Sequence, residues 1–289
     1  METSELLKRV RKIEIKTRGL SSNIFAGQYH TAFKGRGMAF SEVREYQYGD
    51  DIRNIDWNVT ARFNHPYVKI YEEERELTVM LLVDVSGSRE FGTHTQLKRH
   101  VMAEIAATLA FSAIQNNDKI GVIFYSDRLE KFIPPQKGRT HILYIIRELI
   151  EFQPQSLGTN LGGALKYLTS VIKKRCTAFV ISDFIDVKDF QTDLTIANRK
   201  HDVVAIQLYD KRETELPSVG LLTVKDAETG HERLLDTSSK AVRQAWRTWW
   251  TNHSQQLQET FKKSQVDAVT VSTDEDYVKA LISLFNLRR

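Results

Sequence analysis

The sequence predicts a doubly wound α/β fold, in which helices flank both faces of a mostly parallel sheet, with an N-terminal extension before it. Continuous apolar runs such as 77–85 have the length and composition of strands that are buried on both faces. Stretches with apolar residues at helical spacing separate these runs. This alternation of strand and helix is typical of a parallel sheet covered on both faces.

Residues 77–210 supply most of the predicted elements. We expect strands at 77–85, 119–126, 176–184 and 202–210, and helices at 96–117, 140–152, 159–174 and 190–200. A short edge strand is expected at 129–133. It should end before Pro134, because Pro134 and Pro135 cannot continue a hydrogen-bonded ladder.

The chain divides by pattern into an extension, 1–76, and a larger domain, 77–289. The extension begins with an amphipathic sequence that favours a helix. After residue 210 we expect an inserted hairpin near 220–237, a long helix at 240–263, a strand at 266–272 and a closing helix at 276–287. Three tryptophans of the long helix, Trp246, Trp249 and Trp250, are expected to pack in the core.

Composition argues against several classes of protein. The 41 Lys and Arg residues are interleaved with 37 Asp and Glu residues, so we expect no nucleic-acid partner. The longest nearly uncharged apolar run, 77–83, is too short to cross a bilayer core of about 30 Å, so we expect no membrane span. With a single cysteine, Cys176, the chain suits a reducing compartment, and we expect a cytoplasmic protein.

Five oxygen-bearing side chains follow predicted strands or open a predicted helix. They are Asp84, Ser86, Ser88, Thr159 and Asp183. Asp84 and Asp183 fall at the carboxyl ends of strands, where doubly wound sheets bind their ligands. If the two strands are neighbours, the five side chains converge.

Hard cations prefer oxygen ligands, so this group predicts a site for Mg²⁺, or for Mn²⁺ or Ca²⁺. An open position on the ion could take a carboxylate from a protein partner. The alternatives are a strand-end turn, in which Asp and Ser satisfy backbone N–H groups, and a metal-dependent hydrolase that uses the same ion. Because the chain lacks a nucleophile elbow, a phosphate-binding lysine loop and a His-Glu-x-x-His motif, we assign no catalytic residue.

The order Asp-x-Ser-x-Ser, distant Thr, later Asp resembles the metal-ion-dependent adhesion site of von Willebrand factor A domains. All five positions of that motif are matched here. The resemblance implies a doubly wound sheet with one antiparallel edge strand, a bound divalent cation, and a partner that supplies a carboxylate.

Residues 35–74 are similar to the signature of the family catalogued as domain of unknown function 58. The matching blocks are Arg44-Glu45-Tyr46, the run from Gly49 to Trp57, and Ala61-Arg62. This resemblance implies a protein partner of the MoxR type, an AAA+ ATPase, or one of its clients.

The charged residues of this block favour a structural clamp. We expect Arg44, Arg53 and Arg62 to pair with Asp50, Asp51 and Asp56, with Trp57 buried among them. The alternative is that the same residues form an interaction surface.

Overall fold

The fold is described from a computed structural model, which covers residues 38–73, 77–92, 97–185 and 189–288. Side chains are described for 42–70 and from residue 77 onward within these ranges. The helix expected at the N-terminus lies outside them. The chain forms two compact units, one within Lys34–Leu77 and one that begins at Thr78.

The smaller unit is a two-stranded antiparallel sheet with a short helix between its strands. Its elements are β1 (Met38–Glu45), a 3₁₀ turn (Ile52–Asn54), α1 (Trp57–Phe63) and β2 (Tyr67–Glu73). Asp51 caps the 3₁₀ turn and Asp56 caps α1, each through its carboxylate. Both aspartates therefore stabilise backbone ends, as capping residues do.

The larger unit is built on a six-stranded sheet in the order β10-β7-β6-β3-β4-β5. Its strands are β3 (Thr78–Asp84), β4 (Lys119–Tyr125), β5 (Leu129–Gln136), β6 (Thr177–Ser182), β7 (Asp202–Tyr209) and β10 (Asp267–Ser272). All pairs are parallel except that of β5 with β4. This confirms the predicted doubly wound, mostly parallel sheet with an antiparallel edge strand.

The helices of the larger unit follow the strands in the predicted alternation. They are α2 (Lys98–Gln115), α3 (Arg139–Glu151), α4 (Leu161–Val171), α5 (Gln191–Lys200), α6 (Lys211–Thr214), α7 (Lys240–Lys263) and α8 (Tyr277–Leu287). In the central strands nearly every residue is buried, as the burial of Leu81, Ile123 and Val180 shows. Burial on both faces explains why these strands have continuous apolar sequences.

The edge strand β5 is longer than predicted and includes both prolines. The register with β4 shifts between Ile120 and Val122, so Pro134 and Pro135 lie at an irregularity of an edge strand, where a ladder tolerates proline. Gly121 lies opposite this irregularity. A Cβ on Gly121 would lie 2.8 Å from both Ile133 O and Pro135 N, so only glycine permits this approach of β5.

A separate hairpin, β8 (Leu221–Lys225) and β9 (Glu232–Asp236), lies between α6 and α7. Its strands pair with each other, and in the described part of the chain neither joins the six-stranded sheet.

The tryptophan stripe of α7 is more exposed than predicted. Trp249 is 48% exposed, while Trp246 and Trp250 are half-buried. The buried residues of α7 are Leu257 and Phe261, in its last two turns. The core face of this helix is therefore confined to its C-terminal part.

Candidate metal site

Strands β3 and β6 are neighbours, and they bring Asp84 and Asp183 to the same edge of the sheet. Val83 pairs with Ile181 in the parallel register, Asp84 ends β3, and Asp183 directly follows β6. The chain leaves β3 toward β4 and leaves β6 toward β7, on opposite sides. The two carboxylates therefore lie where the strand order reverses, which is the ligand-binding position of such sheets.

The loop after β3 is folded around Asp84. One carboxylate oxygen, Oδ1, accepts the Ser86 N–H at 2.9 Å, and the other, Oδ2, accepts the Ser182 hydroxyl at 2.7 Å. The Ser86 and Ser88 hydroxyl oxygens are 3.1 Å apart. The aspartate and both serines of the motif are thus grouped at one place, with Asp84 and Ser86 fully buried.

Thr159 is brought to this loop by the segment before α4. Gly87 N donates to Leu157 O at 2.9 Å, which ties that segment to the Asp84 loop. Asn160 caps α4 by accepting Gly163 N. The Thr159 hydroxyl itself donates to Glu228 Oε1 at 2.6 Å, and Thr159 is only 6% exposed.

The residue after Asp183 has a strained backbone. Phe184 has φ of 57°, in the left-handed region, which is an outlier for a bulky residue. Its N–H bonds to Ser182 Oγ at 2.9 Å, and Ile185 N bonds to Asp183 Oδ1 at 3.2 Å. Strain of this kind persists where the surroundings fix it and is concentrated at functional sites. Here the two hydrogen bonds fix the backbone around Asp183 at the end of β6.

Asp84 lies in an electrostatic environment that disfavours its charge. Burial, together with the negative charge of Asp183, raises the pKa of Asp84 to about 7. Hydrogen bonds from Ser182 and Ser86 oppose this shift without removing it. A nearby cation would reverse the effect, because it would favour the charged carboxylate.

Lys98, at the start of α2, reaches the same place. Its Nζ lies 3.0 Å from Asp183 Oδ2 and 2.5 Å from Glu213 Oε1, and its side chain is 2% exposed. Burial by itself would raise the pKa of Asp183, but the Lys98 ammonium and a hydrogen bond from Ser88 outweigh it, and that pKa lies below its usual value. Burial also raises the pKa of Glu213.

The site offers carboxylate and hydroxyl oxygens, the donors that hard divalent cations prefer. Asp84 and Asp183 line the site together with two cationic side chains, Arg89 and Lys98, and Lys98 pairs with both Asp183 and Glu213. A cavity of about 10 Å³, close to the smallest that holds a water molecule, is lined by Asp84, Ser88, Lys98 and Asp183. Ser86 and Thr159 do not line this cavity. Among the described residues no cluster combines three His, Cys, Asp or Glu side chains as metal ligands, so the fit depends on hydroxyls as well as carboxylates.

Both aspartates of the site are oriented through each of their carboxylate oxygens. Both oxygens of Asp84 accept hydrogen bonds from Ser86 and Ser182. Both oxygens of Asp183 are engaged as well, one by Ile185 N and the other by Lys98. These contacts orient the two carboxylates and leave each oxygen a further lone pair for a ligand.

Four residues around the site were not identified from the sequence. Ser182 stands beside Asp183 in the motif, and its position before a strand-end aspartate was an available signal. Lys98, Glu213 and Glu228 come from separate elements, and no local spacing links them to Asp84.

The predicted clamp in the smaller unit is present only in part. Arg44 forms a two-pronged pair with Asp50, at 2.8 and 2.7 Å, and Arg53 lies 3.4 Å from Asp51. The expected pairing of Arg62 with Asp56 is wrong, because Asp56 caps α1 and lies 3.5 Å from Lys69 instead.

Trp57 is 70% exposed, so its predicted burial is also wrong. It opens α1, a helix with no buried residue. The clamp therefore involves the first part of this block, and α1 presents its aromatic side chain to the surface.

Sequence relatives match all or part of the chain. The uncharacterized protein Rv1480 of Mycobacterium tuberculosis is 28% identical over 291 residues, which cover 100% of this chain and 92% of that protein. The uncharacterized protein YeaD of Bacillus subtilis is 25% identical over 131 residues, 45% of this chain and 29% of its own.

A solved structure shares the fold. An aerotolerance-related membrane protein from Bacteroides fragilis aligns with a TM-score of 0.51 and 15% identity, over 73% of this chain and 99% of its own. The SpRpn10 VWA domain aligns with a lower TM-score of 0.41, with 12% identity over 73% of this chain and 95% of its own.

The prediction of a cytoplasmic protein is contradicted by this comparison. It was based on composition and on the lack of a long apolar run, yet the same fold occurs in a protein described as a membrane protein. In the described ranges of this chain, every helix is too short or too polar to span a bilayer. Composition is therefore a poor guide to location for this fold.

The family is established by sequence. The protein-family model described as "Protein of unknown function DUF58" matches residues 42–256 of this chain. These residues include most of the smaller unit, the candidate site and the hairpin. The chain belongs to this family, and its larger unit is a doubly wound α/β domain.

Proposed function

We propose that the protein is a divalent-metal-dependent protein-binding module. Asp84, Ser86, Ser88, Thr159 and Asp183 would hold one Mg²⁺, Mn²⁺ or Ca²⁺ ion, directly or through water. When bound, the ion supplies an electrophilic position for a carboxylate of a partner protein. The observation that carries the proposal is the convergence of two buried aspartates, with the pKa of Asp84 raised to about 7.

The chain's own residues would orient this site. Ser182 and the Ser86 N–H fix both oxygens of Asp84, and Lys98 positions Asp183. Such supporting contacts set the geometry of metal ligands and tune their affinity.

The partner proposed from the family resemblance is a MoxR-type AAA+ ATPase or one of its clients. The membrane protein that shares the fold supports a place of action next to a membrane. In that setting the module would bring its partner to a membrane-associated assembly.

A competing account uses the same contacts. The Lys98 ammonium already forms ion pairs with Asp183 and Glu213. In this account Lys98 replaces the ion, and the site is a structural remnant that binds no metal. Titration of the full chain with Mn²⁺ distinguishes the two accounts. If the protein is a metal-dependent module, the wild type binds Mn²⁺ and the Asp84→Ala variant does not. If the site is a structural remnant, neither binds the ion.

The proposed function is tested by affinity purification with the full chain, with and without EDTA. The variants are Asp84→Ala and, as a matched control, Asp274→Ala, an exposed aspartate after β10. We expect a MoxR-type ATPase to be captured by the wild type and the control. Capture should be lost with EDTA and with Asp84→Ala. Capture that resists both treatments would contradict the proposal.

A further inference from the structure

The hairpin β8–β9 ends at the candidate metal site. Glu228, in its turn, accepts the Thr159 hydroxyl at 2.6 Å. The neighbouring Ala227 lies against the Asp84 loop, since a Cβ on Gly87 would be only 2.1 Å from Ala227 O. A carboxylate of this chain thus contacts one candidate ligand, while the adjoining backbone covers the loop that bears two others.

The turn is built to present Glu228. Asp226 Oδ1 accepts the N–H groups of Glu228 and Thr229, each at 2.9 Å. Gly230 has φ of 73°, which glycine adopts without strain, and its N–H closes the turn onto Asp226 O at 2.9 Å. These bonds fix the backbone on both sides of the carboxylate, so Glu228 needs little further ordering to occupy its position.

The hairpin is held at its base and at its turn. At the base, the buried Thr237 bonds to Gly220 O through both its N–H and its hydroxyl. Between base and turn the strands are largely open to solvent, with Leu221 and Leu234 strongly exposed. Such an element has few buried contacts to lose, and it can leave its position without unfolding the sheet.

Resting on the proposed function, we propose that Glu228 is an internal ligand of this site. It occupies the position that the partner's carboxylate takes, so the hairpin covers the ion until a partner displaces it. The low exposure of Thr159 follows from this arrangement. The proposal adds a carboxylate to the candidate donor set and makes release of the hairpin a condition for binding.

The test is Mn²⁺ binding by the full chain, read out by affinity and by water-proton relaxation, which reports the water molecules on the bound ion. Glu228→Gln keeps the shape of the side chain and removes its charge. Glu232→Gln makes the same change on an exposed residue of β9 and is the matched control.

For Glu228→Gln we expect Mn²⁺ affinity to fall about tenfold or more, the effect usual for loss of a supporting carboxylate. The relaxivity of the bound ion should rise, and added acetate should lower it again by filling the open position. The wild type and Glu232→Gln should not respond to acetate.

A second variant displaces the hairpin, and Glu228 with it, without replacing any oxygen-bearing side chain. Gly87→Ala puts a methyl group against Ala227 O, and the φ of Gly87 lies outside the left-handed region, so alanine fits its backbone. We expect the same rise in relaxivity and the same response to acetate.

The outcomes separate the two proposals. Mn²⁺ binding that is lost in Asp84→Ala but unchanged in both affinity and relaxivity in Glu228→Gln would overturn the internal ligand and leave the metal site standing. Absence of Mn²⁺ binding to the wild type would overturn the proposed function itself.

Discussion

Replacement of Lys98 by methionine should destabilise the metal-free protein strongly. The side chain is 2% exposed, and its ammonium lies 3.0 Å from Asp183 and 2.5 Å from Glu213. Its removal leaves buried carboxylates without a counter-charge, and breaking a buried pair in this way costs about 3–5 kcal/mol. The control is Lys166→Met. Lys166 is 72% exposed and lies 3.3 Å from Asp193, and such a surface pair contributes at most about 1 kcal/mol.

The assay is urea unfolding of both variants and the wild type, in EDTA and in excess Mn²⁺. A ligand that binds only the native state adds about 2.7 kcal/mol at 100 times its Kd. The ion should bind Lys98→Met more tightly than the wild type, because a competing positive charge is gone. The deficit of Lys98→Met should therefore shrink in Mn²⁺. Two results would refute a shared pocket for the lysine and the ion. One is a loss of unfolding free energy in EDTA that is no larger for Lys98→Met than for Lys166→Met. The other is a stability deficit of Lys98→Met that is the same in Mn²⁺ as in EDTA.

Two further predictions concern the scaffold. Gly121→Ala should lower the free energy of unfolding by about 1–3 kcal/mol, the usual cost of overpacking, because the new methyl group meets the backbone of β5 at 2.8 Å. Urea unfolding measures this loss. An unchanged unfolding midpoint would contradict the close approach of β5 to Gly121. The stabilising contribution of His201 should also be lost as the pH drops from about 6.5 toward 4, against an opposite change from Asp84, whose raised pKa of about 7 makes the native state take up a proton first in this range. Burial lowers the pKa of His201 to about 4, below its unfolded value of about 6.5, so the unfolded chain takes up the proton first and stabilisation present above pH 6.5 is lost on acidification. The stability of the wild type relative to His201→Gln should therefore decrease as the pH falls through this range, and a difference between the two that does not change with pH would contradict the assignment.

Much of the sheet could be predicted because local sequence and tertiary environment agree. The run 77–85 is apolar throughout, and β3 is buried on both faces. The structure departs from prediction at Pro134 and Pro135, where the irregular register and Gly121 let an edge strand continue. Gly121 belongs to β4, so an expectation based only on the residues next to the prolines does not include its effect.

The candidate site could be predicted only where its residues share a motif or follow a strand. Asp84 and Asp183 converge because β3 and β6 are neighbours, which strand alternation favours. Lys98 and Glu228 come from a helix start and a hairpin turn, and only the folded chain brings them there. Trp57 was misassigned because aromatic character predicts burial, while α1 has no partner face among the described residues of its unit.

The most direct measurement is anomalous X-ray diffraction from crystals of the full chain grown or soaked with Mn²⁺. The account predicts one manganese peak bounded by the oxygens of Asp84, Ser86, Ser88, Thr159 and Asp183. A map without a peak at this edge of the sheet, with the Lys98 ammonium still in contact with Asp183, would contradict it.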